Sequence, residues 1–384
     1  MLMKDFGNSK LLIPLLLVAA LGAAGCSAIG GGRTSSGVVV ARTAQVRSST
    51  AVVAADLLEV RRGDAIDILD TVDIPDPNDN SKKERWFRVR ARDQDKTEGW
   101  IEARNIMPDT VLEKANKLND DDKSTQPQAT GQLHAGSNLR LSPDRSNNEN
   151  IMMRLDSGSS FEIIGWQRVP LFKGAESNES DTAPKAGTAT SGKNKNDQDD
   201  EDNQEDQETT ELWYKVRLSP SISPAPEGWI FGKQVELMVP SDIIYYRTGR
   251  EFVAWRRLDE DTTDEASQTR TKDVAKDTRP GSWVILEKSN PKDEPHKLDE
   301  PDFDRIYVLG YEKHDQDHYT AYRSQDVEGY LPLRVEGKGA NKMFIARIKD
   351  NSGQIKDMTF SLYRDDHGVM RVTPPEQMKV VRRR

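Results

Sequence analysis

At 384 residues, with a net charge of −9 and hydrophobic residues at only 35 %, the chain is long enough for two or three domains. It is too polar for one large core, and it reads as modest β domains joined by solvated linkers. The acidity excludes nucleic acid as a partner, because that binding rests on phosphate neutralisation by clustered Lys and Arg. The one basic run, Arg382-Arg383-Arg384, reads as a solvated terminus.

Lys4 and Lys10 precede an apolar stretch, Leu11 to Leu21, broken by Pro14. It is shorter than the roughly 20 residues of a membrane span and suits the apolar region of a secretory signal peptide. It runs into Leu21-Gly22-Ala23-Ala24-Gly25-Cys26, which resembles the lipobox of bacterial lipoproteins, with Ala23 where that family usually has Leu. The resemblance implies a signal peptide over 1–25, lipidation of Cys26 and a membrane partner reached through that lipid. An ordinary small-residue cleavage site and an uncleaved anchor are the alternatives. Cys26 is the only cysteine, so its lipidation leaves no disulfide and no thiol nucleophile or ligand. By the family's sorting rule, Ser27 in place of Asp favours the outer membrane in a cell that has one. Residues 26–37, rich in Gly and Ser, read as a flexible tether.

A first β block spans 38–108. Its expected strands are Val38-Val39-Val40, Ala44 to Arg47, Leu57 to Val60 and the alternating Ala65 to Leu69. A polar loop from Asp73 to Lys83 follows, and then a hairpin, Trp86-Phe87-Arg88-Val89-Arg90 with Glu98-Gly99-Trp100-Ile101. Residues 109–130 read as a linker, opening with a short helix capped by Asp109. The second block, 131–240, repeats the order: Asn138-Leu139-Arg140-Leu141-Ser142-Pro143, Ile151 to Leu155, a Ser157-Gly158-Ser159 turn, Phe161 to Gly165, then Trp213-Tyr214-Lys215-Val216-Arg217 with Glu227-Gly228-Trp229-Ile230. These motifs resemble the bacterial SH3 (SH3b) family; the first copy, keeping only Val46-Arg47-Ser48 of the opening motif, is the more divergent. The resemblance covers about half the chain and implies two small SH3-like barrels that bind cell-wall peptides or proteins. An insertion at about 173–210 splits the second block; it is low in complexity, then densely acidic, and reads as disordered. Its run from Asp197 to Asp202 lacks the glycine and the terminal glutamate of a calcium loop.

The last region, 241–384, reads as a further β-rich, meander-like or barrel-like domain. Phe344, Ala346 and Ile348 share one strand face, as do Met358, Phe360 and Leu362, and pairing the two gives one buried layer. Tyr319 to Arg323 followed by Glu328-Gly329-Tyr330-Leu331 echoes the repeated hairpin and leaves a decayed third copy open.

No residue reads as catalytic. The cysteine-histidine pair of SH3b-bearing wall peptidases has no cysteine here, and no Gly-x-Ser-x-Gly elbow occurs. His314 and His318, spaced by four, fall in a turn and find no third metal ligand. Trp166, Trp255 and Trp283 have no assignable role. Gly99, Trp100, Gly228 and Trp229 read as structural hairpin corners, the tryptophans filling the cores. Phe87 and Tyr214, on the opposite strand face, are the expected contact residues, with Trp86 and Trp213 beside them. The chain thus reads as mainly β: two small SH3-like barrels and a further β-rich domain joined by disordered linkers. The function that follows is a lipid-anchored, non-catalytic envelope scaffold without a cofactor, whose partners are peptidoglycan or envelope proteins. The alternatives are an assembly lipoprotein that works through its last domain, and an unrecognised envelope enzyme.

Overall fold

The computed structural model describes residues 35–76, 79–171, 210–259, 280–289 and 296–378. The expected signal peptide, Cys26, most of the tether and the insertion, and the arginine tail lie outside them. The described chain is mainly β, built of curled antiparallel sheets that form half-barrels. None of its helices is long and apolar enough to cross a membrane.

The first unit contains β1 (Ser35–Val39), β2 (Thr43–Arg47), β3 (Asp56–Arg61), β4 (Ala65–Asp76), β5 (Asp79–Ala91), β6 (Glu98–Glu102) and β7 (Ile106–Pro108). They lie side by side in the order β3-β2-β6-β5-β4-β1-β7. The second unit contains β8 (Ala129–Leu133), β9 (Ser137–Arg140), β10 (Ile151–Leu155), β11 (Ser160–Pro170), β12 (Thr210–Arg217), β13 (Glu227–Phe231) and β14 (Val235–Leu237). Their order, β10-β9-β13-β12-β11-β8-β14, is the same permutation. Each unit also places a 3-10 turn, Ala103–Asn105 or Gly232–Gln234, between its sixth and seventh strands. The repeat seen in the sequence is therefore a repeat of topology.

Three local expectations change. The first strand starts at Ser35, inside the segment read as tether, because Ser35 to Val38 find partners in β4 and Gly37 to Val39 in β7. The loop expected from Asp73 to Lys83 is instead the end of a long hairpin in which Asp73 pairs with Arg85 and Ile74 with Glu84, the first pair tied by an ion pair of 2.8 Å. The strands flanking the insertion do meet, Val169 opposite Glu211 and Pro170 opposite Thr210, so the inserted segment leaves from the tip of the corresponding hairpin. A hairpin tip tolerates this because closure entropy grows only logarithmically with loop length.

The stretch read as a linker is a structural wedge. Helix α1 (Asp109–Asp121) has Pro108 at its N-cap with no side-chain cap. Asp109, expected to cap it, sits in the first turn, accepts a hydrogen bond from Ser36 Oγ and complements the positive helix end. Ala115 is fully buried in a core shared by Val38, Val40 and Met107 of the first unit and Leu139, Phe161 and Ile230 of the second. Beyond the helix, Gln128 is completely buried; its Nε2 donates to Leu333 O at 3.1 Å and its Oε1 accepts from Leu333 N at 2.6 Å. Gln126 does the same to Val335, at 3.0 Å in both directions. Two side-chain amides thus act as a substitute strand along the chain that contains Leu333 and Val335.

That chain belongs to the last region, where β15 (Glu251–Arg257), β16 (Trp283–Lys288), β17 (Arg305–Glu312) and β18 (Asp317–Arg323) form one four-stranded meander. A second one contains β19 (Gly329–Glu336), β20 (Met343–Lys349), β21 (Ile355–Arg364) and β22 (Met370–Thr373). Phe344 pairs with Phe360 and Ala346 with Met358 as expected, and the two phenyl rings stack at 4.5 Å. The first meander is buried on both faces. Val284, Leu286 and Val308 meet the second meander, while Trp255, Trp283, Ile285 and Leu309 join the core of the second unit. Trp255 and Trp283 are therefore packing residues. The echo of the repeated hairpin is not a hairpin, because β18 and β19 lie in different sheets. Its glycine, Gly329, serves another purpose: a Cβ there would lie 2.1 Å from the ring of Phe303.

Gln128→Ala is expected to lower stability by about 2 to 4 kcal/mol, since it strands a buried backbone donor and acceptor. Gln126→Ala should cost less because Gln126 is only half-buried. Denaturant titration followed by tryptophan fluorescence measures both.

Candidate functional site

The geometry of the repeated hairpins starts from their glycines. Gly99 and Gly228 face the interior so closely that a Cβ on Gly99 would lie 2.5 Å from Arg47 O, and one on Gly228 would lie 2.8 Å from Leu139 Cδ1. Strand side chains alternate, so the next residue points outward and the one after it inward. Ile101 and Ile230 are accordingly core residues at 1 % and 0 % exposure. Trp100 and Trp229, expected inside, stand half-exposed on the outer face.

The same parity reverses the expected contact residues. Phe87 pairs with Ile101 and Tyr214 with Ile230, so both rings face the core. Phe87 packs partly buried against the first core, and Tyr214 is buried deeply enough to push its hydroxyl pKa up to about 12. Trp86 and Trp213 are on the outer face by register, yet they are 4 % and 0 % exposed, Trp213 packing against Phe231 at 5.6 Å. None of these four rings offers the open contact surface expected of it.

The outer face carries a different set of residues, in matching rows. In the first unit Asp67, Arg90 and Glu98 form one row across β4, β5 and β6, and Asp70, Arg88, Trp100 and Arg47 form the next, which extends to β2. In the second unit the corresponding rows are Glu162, Arg217 and Glu227, then Gly165, Lys215, Trp229 and Arg140. Each face sets two adjacent cations and a tryptophan beside one central glutamate.

The second face is occupied by the C-terminal end of α1. Lys215 Nζ pairs with the Asp122 carboxylate and lies 3.3 Å from Glu227 Oε1 and 5.8 Å from the centre of the Trp229 ring. Arg217 donates to Asp122 O at 3.0 Å, which also accepts from Thr125 N at 2.8 Å, and to Thr125 O at 3.4 Å, placing a cation at the negative end of the helix. Burial pushes the Glu227 pKa up to about 7, with the neighbouring Asp122 adding to the rise. Burial is the largest single influence on Asp122 and opposes its ionisation, but the hydrogen bonds from Lys215, Glu227 and Thr125 and the Lys215 charge together outweigh it, and its pKa falls below the usual carboxylate range.

The first face is open. Arg88, Arg90 and Glu98 are 50 %, 40 % and 35 % exposed, against 18 %, 23 % and 0 % for Lys215, Arg217 and Glu227. Glu98 accepts from Arg90 at 2.6 Å and from Arg88 at 3.1 Å, and the Arg90 bond holds its pKa below the usual range. The loop that leaves β2 just after Arg47 carries Val52 and Val53 at 73 % and 94 % exposure.

Elsewhere, His314 and His318 part company. His314 sits in an exposed turn, whereas His318 lies between Tyr246 and Tyr311 with Nε2 2.8 Å from Gly281 O. No cluster of metal-ligating side chains occurs among the described residues. A cleft of about 280 Å³ between the two units presents Arg42 and Arg62, the latter bound to Val40 O and Ser221 O.

Alternation alone could have located the outer-face residues. Val89 and Val216 face the core, so Arg88, Arg90, Lys215 and Arg217 point outward with the tryptophans. The occupant, Asp122, carries no such signal.

Two outcomes follow. Gly99→Ala is expected to cost about 1 to 3 kcal/mol by overpacking, because the obstacle is backbone; thermal melting measures it. Folded Glu227 holds its proton more tightly than the unfolded chain, so it contributes a loss of stability as pH rises from about 4.5 to about 7. Glu227→Gln should remove a component on the order of 3 kcal/mol from that decline, read as melting temperature against pH.

No protein-family model matches this chain and no curated protein matches it, so its function has to be read from this geometry.

Proposed function

We propose that the chain is a non-catalytic binding protein of the cell envelope, lipid-anchored through Cys26, whose paired SH3b-like units hold cell-wall peptides or protein partners near a membrane. One observation carries the binding reading: the same row of cations and tryptophan grips a chain segment in the second unit and stands open in the first. The lipobox-like Leu21 to Cys26 supports the anchor, and Ser27 favours the outer membrane in a cell that has one. Two alkyl chains or more are what stable anchoring requires, a single one binding only marginally.

The shared core weighs against a reading in which the two units merely space out a working last domain. The wedge helix and the two glutamines join all three parts, so the first face is presented on a rigid support.

Retention of the soluble Cys26-less protein on purified peptidoglycan, and crosslinking in intact cells, test the proposal. Retention or a specific crosslinked envelope partner, lost in Trp100→Ala, is the expected result. Neither wall retention nor a partner would overturn it. A mature mass lacking residues 1–25 and carrying acyl groups on Cys26 is expected for the anchor.

A further inference from the structure

The two outer faces are near-copies, and the protein contains its own example of what such a face binds. In the second unit the ligand is the end of a helix whose C-cap residue, Asp122, gives its carboxylate to Lys215 and its carbonyl to Arg217. Glu162 lies 4.0 Å from Arg217 and Glu227 3.3 Å from Lys215, and Asp122 brings a further carboxylate to Lys215. In the first unit Arg88 and Arg90 stand in the places of Lys215 and Arg217, Glu98 in that of Glu227, and Trp100 in that of Trp229. Both guanidiniums share the single carboxylate of Glu98. Asp67 is bound to Arg92 at 2.8 Å, and Asp70 turns its Oδ1 to Thr71 N at 2.8 Å. Among the described residues no carboxylate takes the place on Arg88 that Asp122 has on Lys215, and Arg88 is half-exposed.

The chain's own upstream segment does not supply that charge. Asp122 lies seven residues before the first strand of its unit, whereas residues 6–34, which precede β1, hold no Asp or Glu. The carboxylate therefore comes from outside this unit.

Building on the binding function proposed above, we infer that the Arg88–Arg90–Trp100 face of the first unit binds an acidic peptide segment of a partner protein, taking one carboxylate on Arg88 and the carbonyls of a helix end on Arg90. Arginine suits this role because its planar fork matches a carboxylate bidentately. The arrangement reproduces, between molecules, the contact that α1 makes within the chain.

The test uses the full chain in detergent and a fluorescent peptide of residues 112–125, followed by anisotropy near 0.15 M salt, where screening is physiological. Saturable binding is expected, weakened about tenfold or more by Arg88→Glu in the protein or by Asp122→Lys in the peptide, as for a close charge pair. Combining the two reversals should restore binding to within about threefold of the original, an outcome that a misfolded variant does not give. Absence of saturable binding overturns the inference. So does binding that Arg88→Glu leaves unchanged, which would put the peptide on the second face in place of α1, and so does failure of the double reversal. Wall retention without peptide binding overturns the acidic-peptide specificity alone. Peptide binding without any envelope partner overturns the envelope reading alone.

Discussion

Everything on the outer faces depends on one steric constraint, the close approach of β6 to β2 and of β13 to β9. Only glycine fits at Gly99 and Gly228, because a side chain there runs into backbone or core atoms of the facing strand. With glycine fixed inward, alternation fixes every neighbour: tryptophan out, isoleucine in, and across the hairpin arginine or lysine out and valine in. A slip of one residue would bury Arg88 and Lys215 and expose Val89 and Val216. The charged rows are thus a consequence of a packing requirement at the corner.

The second theme is how three β parts become one body. A chain with 35 % hydrophobic residues has little apolar surface to spare for domain interfaces. Here α1 inserts Ala115 between the units, and the two-sided first meander shares residues with both the second unit and the second meander. The glutamine pair adds what apolar packing cannot, a specific register. Each amide presents a donor and an acceptor at the spacing of a peptide group, so Leu333 and Val335 are read as backbone and only one alignment satisfies all four bonds. Buried polar groups that are fully paired specify an arrangement more sharply than apolar contacts do.

Duplication followed by divergent burial accounts for the contrast between the two faces. The same residue pattern gives a carboxylate held below its ordinary pKa on the open face and one pushed up to about 7 under the helix. Solvent supports Glu98 in its charged form between two guanidiniums. Under α1, Glu227 loses that solvent and competes with Asp122 for Lys215. The chemistry of the face is therefore set by what lies on it as much as by its own residues.

Much of the strand inventory was legible in the sequence. Alternation located the strands of both units and the paired faces of β20 and β21, and the repeated Glu-Gly-Trp-Ile marked equivalent corners. The faces of the site are exchanged in that reading, because its parity is anchored on tryptophan size, whereas the valines of the same strands mark the inward face. Other features had no local signal at all. The hairpin read as a loop before Lys83 is polar because its end leaves the core, and pairing holds it extended. Gln126 and Gln128 look like linker residues because their partners lie more than two hundred positions away. By itself the sequence determined the β character and the repeat, both of which rest on contacts or patterns within a few residues. Tertiary structure alone decided which of two near-identical faces is covered, because that turns on where the end of a helix comes to rest.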